Sequence, residues 1–271
     1  MEKVIRGSTI AEEDEAGGKS SFCEFHCMVR KGHEECGDSA FVYCDDGKAI
    51  LAVFDGVSGA PGASLASSEA ADSILGSLRK HQKITDEKMK GAVISAMESI
   101  SAGYTTAAIL FLHKDGSFTI CSVGDSPVYS IDHEGKTSLE LPLARTVGND
   151  SSILKFFYYR NIVTSVLGRA VEEVSINLRS GKLGKGQMLI LATDGLSDNL
   201  FMKVHDGYVI ESSGSEDLSG LVGKKRSPKA TVRSLFDEVL RRIGGGRVDH
   251  PDRILVPKED DISIIAVRLL P

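Results

Sequence analysis

Three apolar, strand-like runs in this chain end on an aspartate: Ala52-Val53-Phe54-Asp55-Gly56, Cys121-Ser122-Val123-Gly124-Asp125-Ser126 and Leu189-Ile190-Leu191-Ala192-Thr193-Asp194-Gly195. In a fourth, Asp260-Asp261-Ile262-Ser263-Ile264-Ile265-Ala266-Val267, the acids precede the strand. Carboxylates held on rigid backbone at the rim of a core are oxygen ligands for hard divalent cations. Two like charges about 4 Å apart repel by roughly 4 kcal/mol at an effective dielectric of about 20. If the four ends converge, a metal or separation in space must follow. The glycines after Asp55 and Asp194 let the backbone approach a ligand and can offer a carbonyl beside the carboxylate. Such a donor set suits Mg²⁺ or Mn²⁺, which take near-octahedral oxygen coordination and need no histidine or cysteine. Two such ions about 3.5–4 Å apart can clamp a phosphoryl group during in-line attack. Taken singly, each Asp-Gly step is also ordinary turn vocabulary.

The elements that must position these acids are strands first. Phe22 to Val29, Ala40 to Cys44, Lys48 to Phe54, Tyr104 to Leu112, Phe118 to Val123 and Val128 to Ile131 read as strands. Asp45-Asp46-Gly47 and Lys114-Asp115-Gly116-Ser117 supply hairpin turns between them. Helices are few. Leu65, Ala66, Ala70, Ile74, Leu75 and Leu78 fall on one face of a helix over 62–80, and a second starts at Thr85 and buries Met89, Val93, Ala96, Met97 and Ile100. A third is capped by Ser227, with Pro228 at its first position and a buried stripe of Val232, Leu235, Phe236, Val239, Leu240 and Ile243. The last strand runs from Ile262 to Leu269. Antiparallel runs with inserted helix pairs give an α+β class rather than a β-α-β alternation. Residues 1–20 are polar and read as a tail or lead-in, with regular structure starting near Ser21. If Asp55 and Asp260 share a site, the first and last strands are neighbours and residues 21–271 close into one domain.

Composition narrows the function. The chain has 271 residues and a formal charge of −6, without a basic stripe interleaved with aromatics, so nucleic acid is not an expected partner. Its apolar stretches fall far short of the ~20 residues that span a bilayer. An acidic N-terminus without an apolar signal region and five cysteines, an odd number, point to a cytoplasmic location with free thiols. Cys23, His26, Cys27, His33 and Cys36 resemble a zinc cluster, but on a strand Cys23 and Cys27 lie roughly 13 Å apart at ~3.3 Å per residue. No cysteine is followed six positions later by arginine, which excludes a cysteine-based phosphatase loop. Lys224-Lys225-Arg226 reads as a solvated charge run, with substrate docking as its alternative.

Read in order, Asp38, Val53-Phe54-Asp55-Gly56-Val57-Ser58-Gly59, Tyr104-Thr105-Thr106-Ala107, Val123-Gly124-Asp125-Ser126, Leu191-Ala192-Thr193-Asp194-Gly195-Leu196-Ser197-Asp198 and Asp260-Asp261-Ile262-Ser263 resemble the metal-dependent, type 2C serine/threonine protein phosphatases, in their bacterial-type form. The resemblance spans about residues 20 to 271. It implies a four-layer α-β-β-α sandwich, two antiparallel sheets packed face to face and flanked by antiparallel helix pairs, with two Mn²⁺ or Mg²⁺ ions at one end. Carried over by position, Asp55 bridges both ions, the Gly56 carbonyl binds one, Asp194 and Asp260 bind the other, and Asp38 holds a metal-bound water. Asp125 and Asp198 match the acids of a third ion; Asp198 alone could also cap a short helix from Gly195 to Leu200. A hydroxide bridging the ions is then expected to attack a phosphoserine or phosphothreonine of a phosphoprotein, by a chain expected to be a monomer.

The departures from the pattern are specific. His33 stands where the family carries a phosphate-gripping arginine; Arg30, Lys31 or His33 could substitute, and His33 and Arg30 are the two leading candidates for that task. Gly37, Val57, Ser58 and Pro127 also replace usual residues. A second function class therefore stands beside the first: a catalytically weak or inactive pseudophosphatase that serves as a protein-binding module. A flap over 139–161 is expected beside the site, its Phe156-Phe157-Tyr158-Tyr159-Arg160 run either facing a partner or forming a buried strand.

Overall fold

The computed structural model describes residues 1–59, 61–223 and 227–270; the Lys224-Lys225-Arg226 run lies outside them. Two six-stranded antiparallel sheets dominate. The first runs, edge to edge, β1 (Glu2–Ile5), β4 (Ser39–Cys44), β5 (Lys48–Phe54), β6 (Ala107–His113), β7 (Ser117–Val123) and β10 (Asn177–Lys182). The second runs β2 (Glu13–Lys19), β3 (Cys23–Arg30), β16 (Ile262–Leu269), β11 (Met188–Ala192), β8 (Val128–Ile131) and β9 (Thr137–Leu139). A four-stranded sheet sits apart, in the order β13 (Tyr208–Glu211), β12 (Met202–His205), β15 (Arg253–Leu255) and β14 (Val248–Asp249).

Side chains alternate between two dry faces, which is why the central strands read as unbroken apolar runs. In β5, Ala49, Leu51 and Val53 point into the layer between the sheets, where they meet Leu189 and Leu191 of β11 and Ile265 and Val267 of β16. Ile50, Ala52 and Phe54 point the other way, onto α1 (Ala63–Leu78) and α2 (Asp86–Ser99). On the far side, Ile190, Ala192, Ile264 and Ala266 meet α5 (Ser215–Val222) and α6 (Pro228–Gly245). The result is an α-β-β-α sandwich of the α+β class. No described helix is long and apolar enough to cross a membrane.

Local chemistry sets the boundaries. Asp45 Oδ1 accepts from the Gly47 and Lys48 amides at 2.8 and 2.9 Å, which makes the β4–β5 turn. Thr85 and Ser227 cap α2 and α6 through the Lys88 and Ala230 amides. Two positions assigned to buried helix stripes, Leu65 and Leu240, instead lie exposed at the stripe edges. The aromatic run forms a helix, α3 (Ile153–Tyr159), and not a strand: Phe156 turns inward while Tyr158 faces out.

Regular structure begins at Glu2, not near Ser21. β1 pairs with β4 and β2 pairs with β3, giving each large sheet an edge strand from a segment that composition marks as a tail. Only Ala16 of β2 is buried, so the strand is held by its backbone ladder rather than by apolar burial. Its glycines have a steric reason: a Cβ on Gly17 would stand 2.5 Å from His26 Nδ1 across the ladder. Gly17→Val should therefore destabilise the protein by about 1–3 kcal/mol in urea denaturation, as overpacking does. An unchanged or raised midpoint, the result for a β-branched residue placed on a loose tail, would contradict this packing.

Candidate metal centre

Antiparallel pairing gathers the acids at one end of the sandwich. Asp55 ends β5 and Asp38 precedes β4, and those strands pair Ser39 with Phe54. Asp194 follows β11 and Asp260 precedes β16, which pair Ala192 with Ile264. Asp125 follows β7 through Gly124, and the helical turn α4 (Asp194–Ser197) carries the chain on to Asp198. Asp198 is the C-cap of α4 through its own amide, while its side chain joins the acid cluster. Backbone crowding enforces glycine here: a Cβ on Gly56 would meet the Ala63 carbonyl at 2.4 Å, and one on Gly195 the Asp261 carbonyl at 2.0 Å.

Asp38 ties the two sheets together. Its Oδ2 accepts from the Thr193 and Ser263 hydroxyls, both at 2.8 Å, and these belong to the opposite sheet's ladder end. Asp261 anchors the loop before β4, accepting the Gly32 and Gly37 amides at 2.6 Å each. Asp260 Oδ1 accepts its neighbour's amide at 2.9 Å and lies 3.4 Å from His33 Nε2. Arg30 is elsewhere engaged, with Glu12 and Glu13, so of the two phosphate candidates only His33 is at the cluster.

Three basic groups stand among the acids, and sequence reading did not single out Lys258 or Arg145. Lys258 Nζ lies 2.5 Å from Asp260 Oδ2 and 2.9 Å from Asp194 Oδ2. Its backbone is clamped by Asn199, which donates to the Lys258 carbonyl and accepts from its amide. Arg145 Nε lies 2.9 Å from Asp125 Oδ2, and its Nη2 2.9 Å from Asp198 Oδ1. Arg160 Nε approaches Asp198 Oδ2 at 3.7 Å. Arg145 and Arg160 both come from the segment between β9 and β10, where a flap was expected.

The electrostatics follow from crowding. Burial, and then the nearby Asp194, hold Asp55 well above the usual carboxylate range. Burial and Asp261 do the same to Asp38 against the pull of its two hydroxyl donors. Burial and Asp194 raise Asp260 despite Lys258, and burial lifts Asp125 to about 6 against Arg145. Asp194 alone goes down: burial opposes its ionisation, but Lys258 and Arg145 outweigh it.

A divalent ion fits this donor set chemically. The acids Asp38, Asp55, Asp125, Asp194, Asp198, Asp260 and Asp261 against Lys258, Arg145 and Arg160 leave a formal excess of four negative charges, the charge of two divalent ions. Asp125 Oδ1 and Asp198 Oδ2 are buried without a hydrogen-bond partner. Among the described residues no ready cage of three acidic, imidazole or thiol groups is closed; the Lys258 ammonium stands between Asp194 and Asp260. The five cysteines are free and buried; Cys36 lies beside the acids, its thiol donating to the Asp38 carbonyl at 3.7 Å, and burial with the nearby Asp38 and Asp261 pushes that thiol up.

The sequence model of the protein phosphatase 2C family matches residues 29–217. The chain belongs to that family. Comparison with curated proteins finds no match. Among solved structures, the Mycobacterium tuberculosis serine/threonine phosphatase PstP/Ppp is similar at 17% identity and a TM-score of 0.65, over 92% of this chain and 100% of that one. The S. agalactiae serine/threonine phosphatase gives 16% identity and a TM-score of 0.64, over 91% and 99%. RsbX, solved in complex with magnesium, gives 19% identity and a TM-score of 0.61, over 94% and 100%. At these identities the likeness is one of fold.

In chelator, each carboxyl raised by crowding keeps a proton that the unfolded chain has released, so stability falls as pH rises through the native titration. For Asp125 that window runs from about 4 to about 6. Asp194, shifted down, contributes stability that is lost only at lower pH, and His26 and His113, held down by burial, oppose the trend but are outnumbered by the raised carboxyls. The metal-free thermal midpoint should thus be higher at pH 5 than at pH 7. A midpoint that drops on acidification would show that the acids are not crowded.

Proposed function

We propose that this protein hydrolyses phosphoserine or phosphothreonine in proteins with two Mn²⁺ or Mg²⁺ ions. The observation that carries the reading is the convergence of Asp55, Asp194 and Asp260 at one end of a phosphatase 2C sandwich with uncompensated negative charge. Asp55 would be shared by both ions, the Gly56 carbonyl would complete one position, and Asp194 with Asp260 the other. When bound, the ion pair supplies positive charge to the phosphoryl group and an activated water for in-line attack. Asp38, fixed by Thr193 and Ser263, accepts a hydrogen bond from water at the site and keeps it oriented. Val57 cannot donate a proton, so protonation of the departing serine or threonine would fall to a water held at the ions. With Arg30 drawn away, His33 and Lys258 are the basic groups beside Asp260 that can meet phosphate oxygens. The protein would act on cytoplasmic phosphoproteins as a monomer.

One observation favours a second reading, a protein-binding module without turnover: the Lys258 ammonium already sits between Asp194 and Asp260 and offsets one of their two charges. Under the catalytic reading this ammonium must move aside for an ion. A four-carbon stem with 22% of its surface exposed can do so.

Two measurements separate the readings. Turnover of an aryl phosphate and a phosphothreonine peptide should require Mn²⁺, vanish with chelator, and fall at least roughly 100-fold in Asp194→Ala, the scale of losing one electrostatic contact. No turnover at any Mn²⁺ concentration would select the binding module. By calorimetry, Lys258→Met should bind Mn²⁺ about tenfold more tightly or better, because a like charge has left the site; weaker binding would mean that Lys258 does not compete with the ion.

A further inference from the structure

Asp125 and Asp198 already share a cation supplied by the chain. The Arg145 side chain is 4% exposed and spreads its guanidinium between them, at 2.9 Å to each, with Nη2 also donating to Ser197 Oγ at 3.3 Å. We propose that Arg145 is the resident cation of this position, so that the protein binds two divalent ions and not three. The inference rests on the two-ion reading above for its stoichiometry, but the pairing itself stands without metal.

Three features of the structure carry it. A guanidinium stays charged at any relevant pH, and its fixed fork matches two carboxylates at once. Arg145 is more enclosed than Lys258, its side chain 4% exposed against 22%, and its segment is pinned: its backbone bridges Val163, the Ala144 amide donates to the Gly124 carbonyl at 3.0 Å, and the Thr164 amide donates to the Ala144 carbonyl at 2.7 Å. Leaving would strand a buried charge on both sides of the pair. The second acid oxygens, Asp125 Oδ1 and Asp198 Oδ2, accept no hydrogen bond. An ion seated on Asp198 Oδ2, however, would meet Arg160 Nε, which lies 3.7 Å from that oxygen.

The consequence is that the segment between β9 and β10 carries its own counter-ion to the site. It is latched there by Arg145 whether or not metal is bound.

Calorimetric titration of the full chain with Mn²⁺ tests the stoichiometry. Two ions are expected for the wild type and for Asp125→Asn, with affinities within about twofold of each other. Arg145→Met should gain a third ion that Arg145→Met/Asp125→Asn loses again. Three ions in the wild type, one of them lost in Asp125→Asn, would overturn the inference while leaving the two-ion reading in place. A second arm needs no metal. In chelator, Arg145→Met should lower the thermal midpoint, and Asp125→Asn with Asp198→Asn in the same chain should recover most of the loss. Absence of recovery would overturn the pairing. A wild type that binds no Mn²⁺ would sink the two-ion reading, and the chelator arm would still decide the pairing.

Discussion

Like charge packed into a dry space is the constraint on which this structure turns. Asp38, Asp55, Asp125, Asp194, Asp198, Asp260 and Asp261 meet at one end of the sandwich, most of them buried. Such a group is tolerable only with hydrogen-bond donors, resident cations, protons or metal, and the molecule uses the first two in visible ways. Asp261 and Asp38 take amides and hydroxyls. Asp125 and Asp198 take Arg145, and Asp194 and Asp260 take Lys258. Among the described residues Asp55 has no basic partner of that kind, and burial with the nearby acids holds it, like Asp38, well above the usual carboxylate range. It is the carboxylate that a pair of divalent ions would relieve most.

The scaffold makes that concentration affordable. Strands buried on both faces fix the backbone at the points where the aspartates emerge, and the two ladders are joined at that end by Asp38. Gly32, Gly56 and Gly195 let neighbouring segments approach until a Cβ would overlap a carbonyl at 2.0 to 2.4 Å. Positioning of the acids and stability of the core are therefore one problem: a shift of either sheet would separate Asp55 from Asp194.

What the sequence discloses depends on whether a signal is local. Each aspartate sits at the end of an apolar run, so its place at the rim was legible from a few residues, and their order along the chain pointed to the family. Helix caps at Thr85 and Ser227 and the β4–β5 turn were equally local. The basic groups were not. Lys258 and Arg145 lie in irregular segments without periodicity, and only the fold brings them across to acids 60 or more positions away in the case of Lys258 and Asp194. Edge strand β2 was hidden because backbone pairing, not apolar burial, holds it, and β1 because it is four residues long and fully buries Ile5 alone. The small sheet of β12 to β15 was missed because its strands are two to four residues long and mostly half-exposed.

The central claim is that Asp55, Asp194 and Asp260 hold divalent ions once Lys258 yields its place. Anomalous diffraction at the manganese edge from crystals grown with Mn²⁺ tests it most directly. Two peaks bounded by Asp55, Asp194 and Asp260, with the Lys258 ammonium moved out from between its two partners, is the predicted result. A map without peaks, with Lys258 still bridging Asp194 and Asp260, would contradict it.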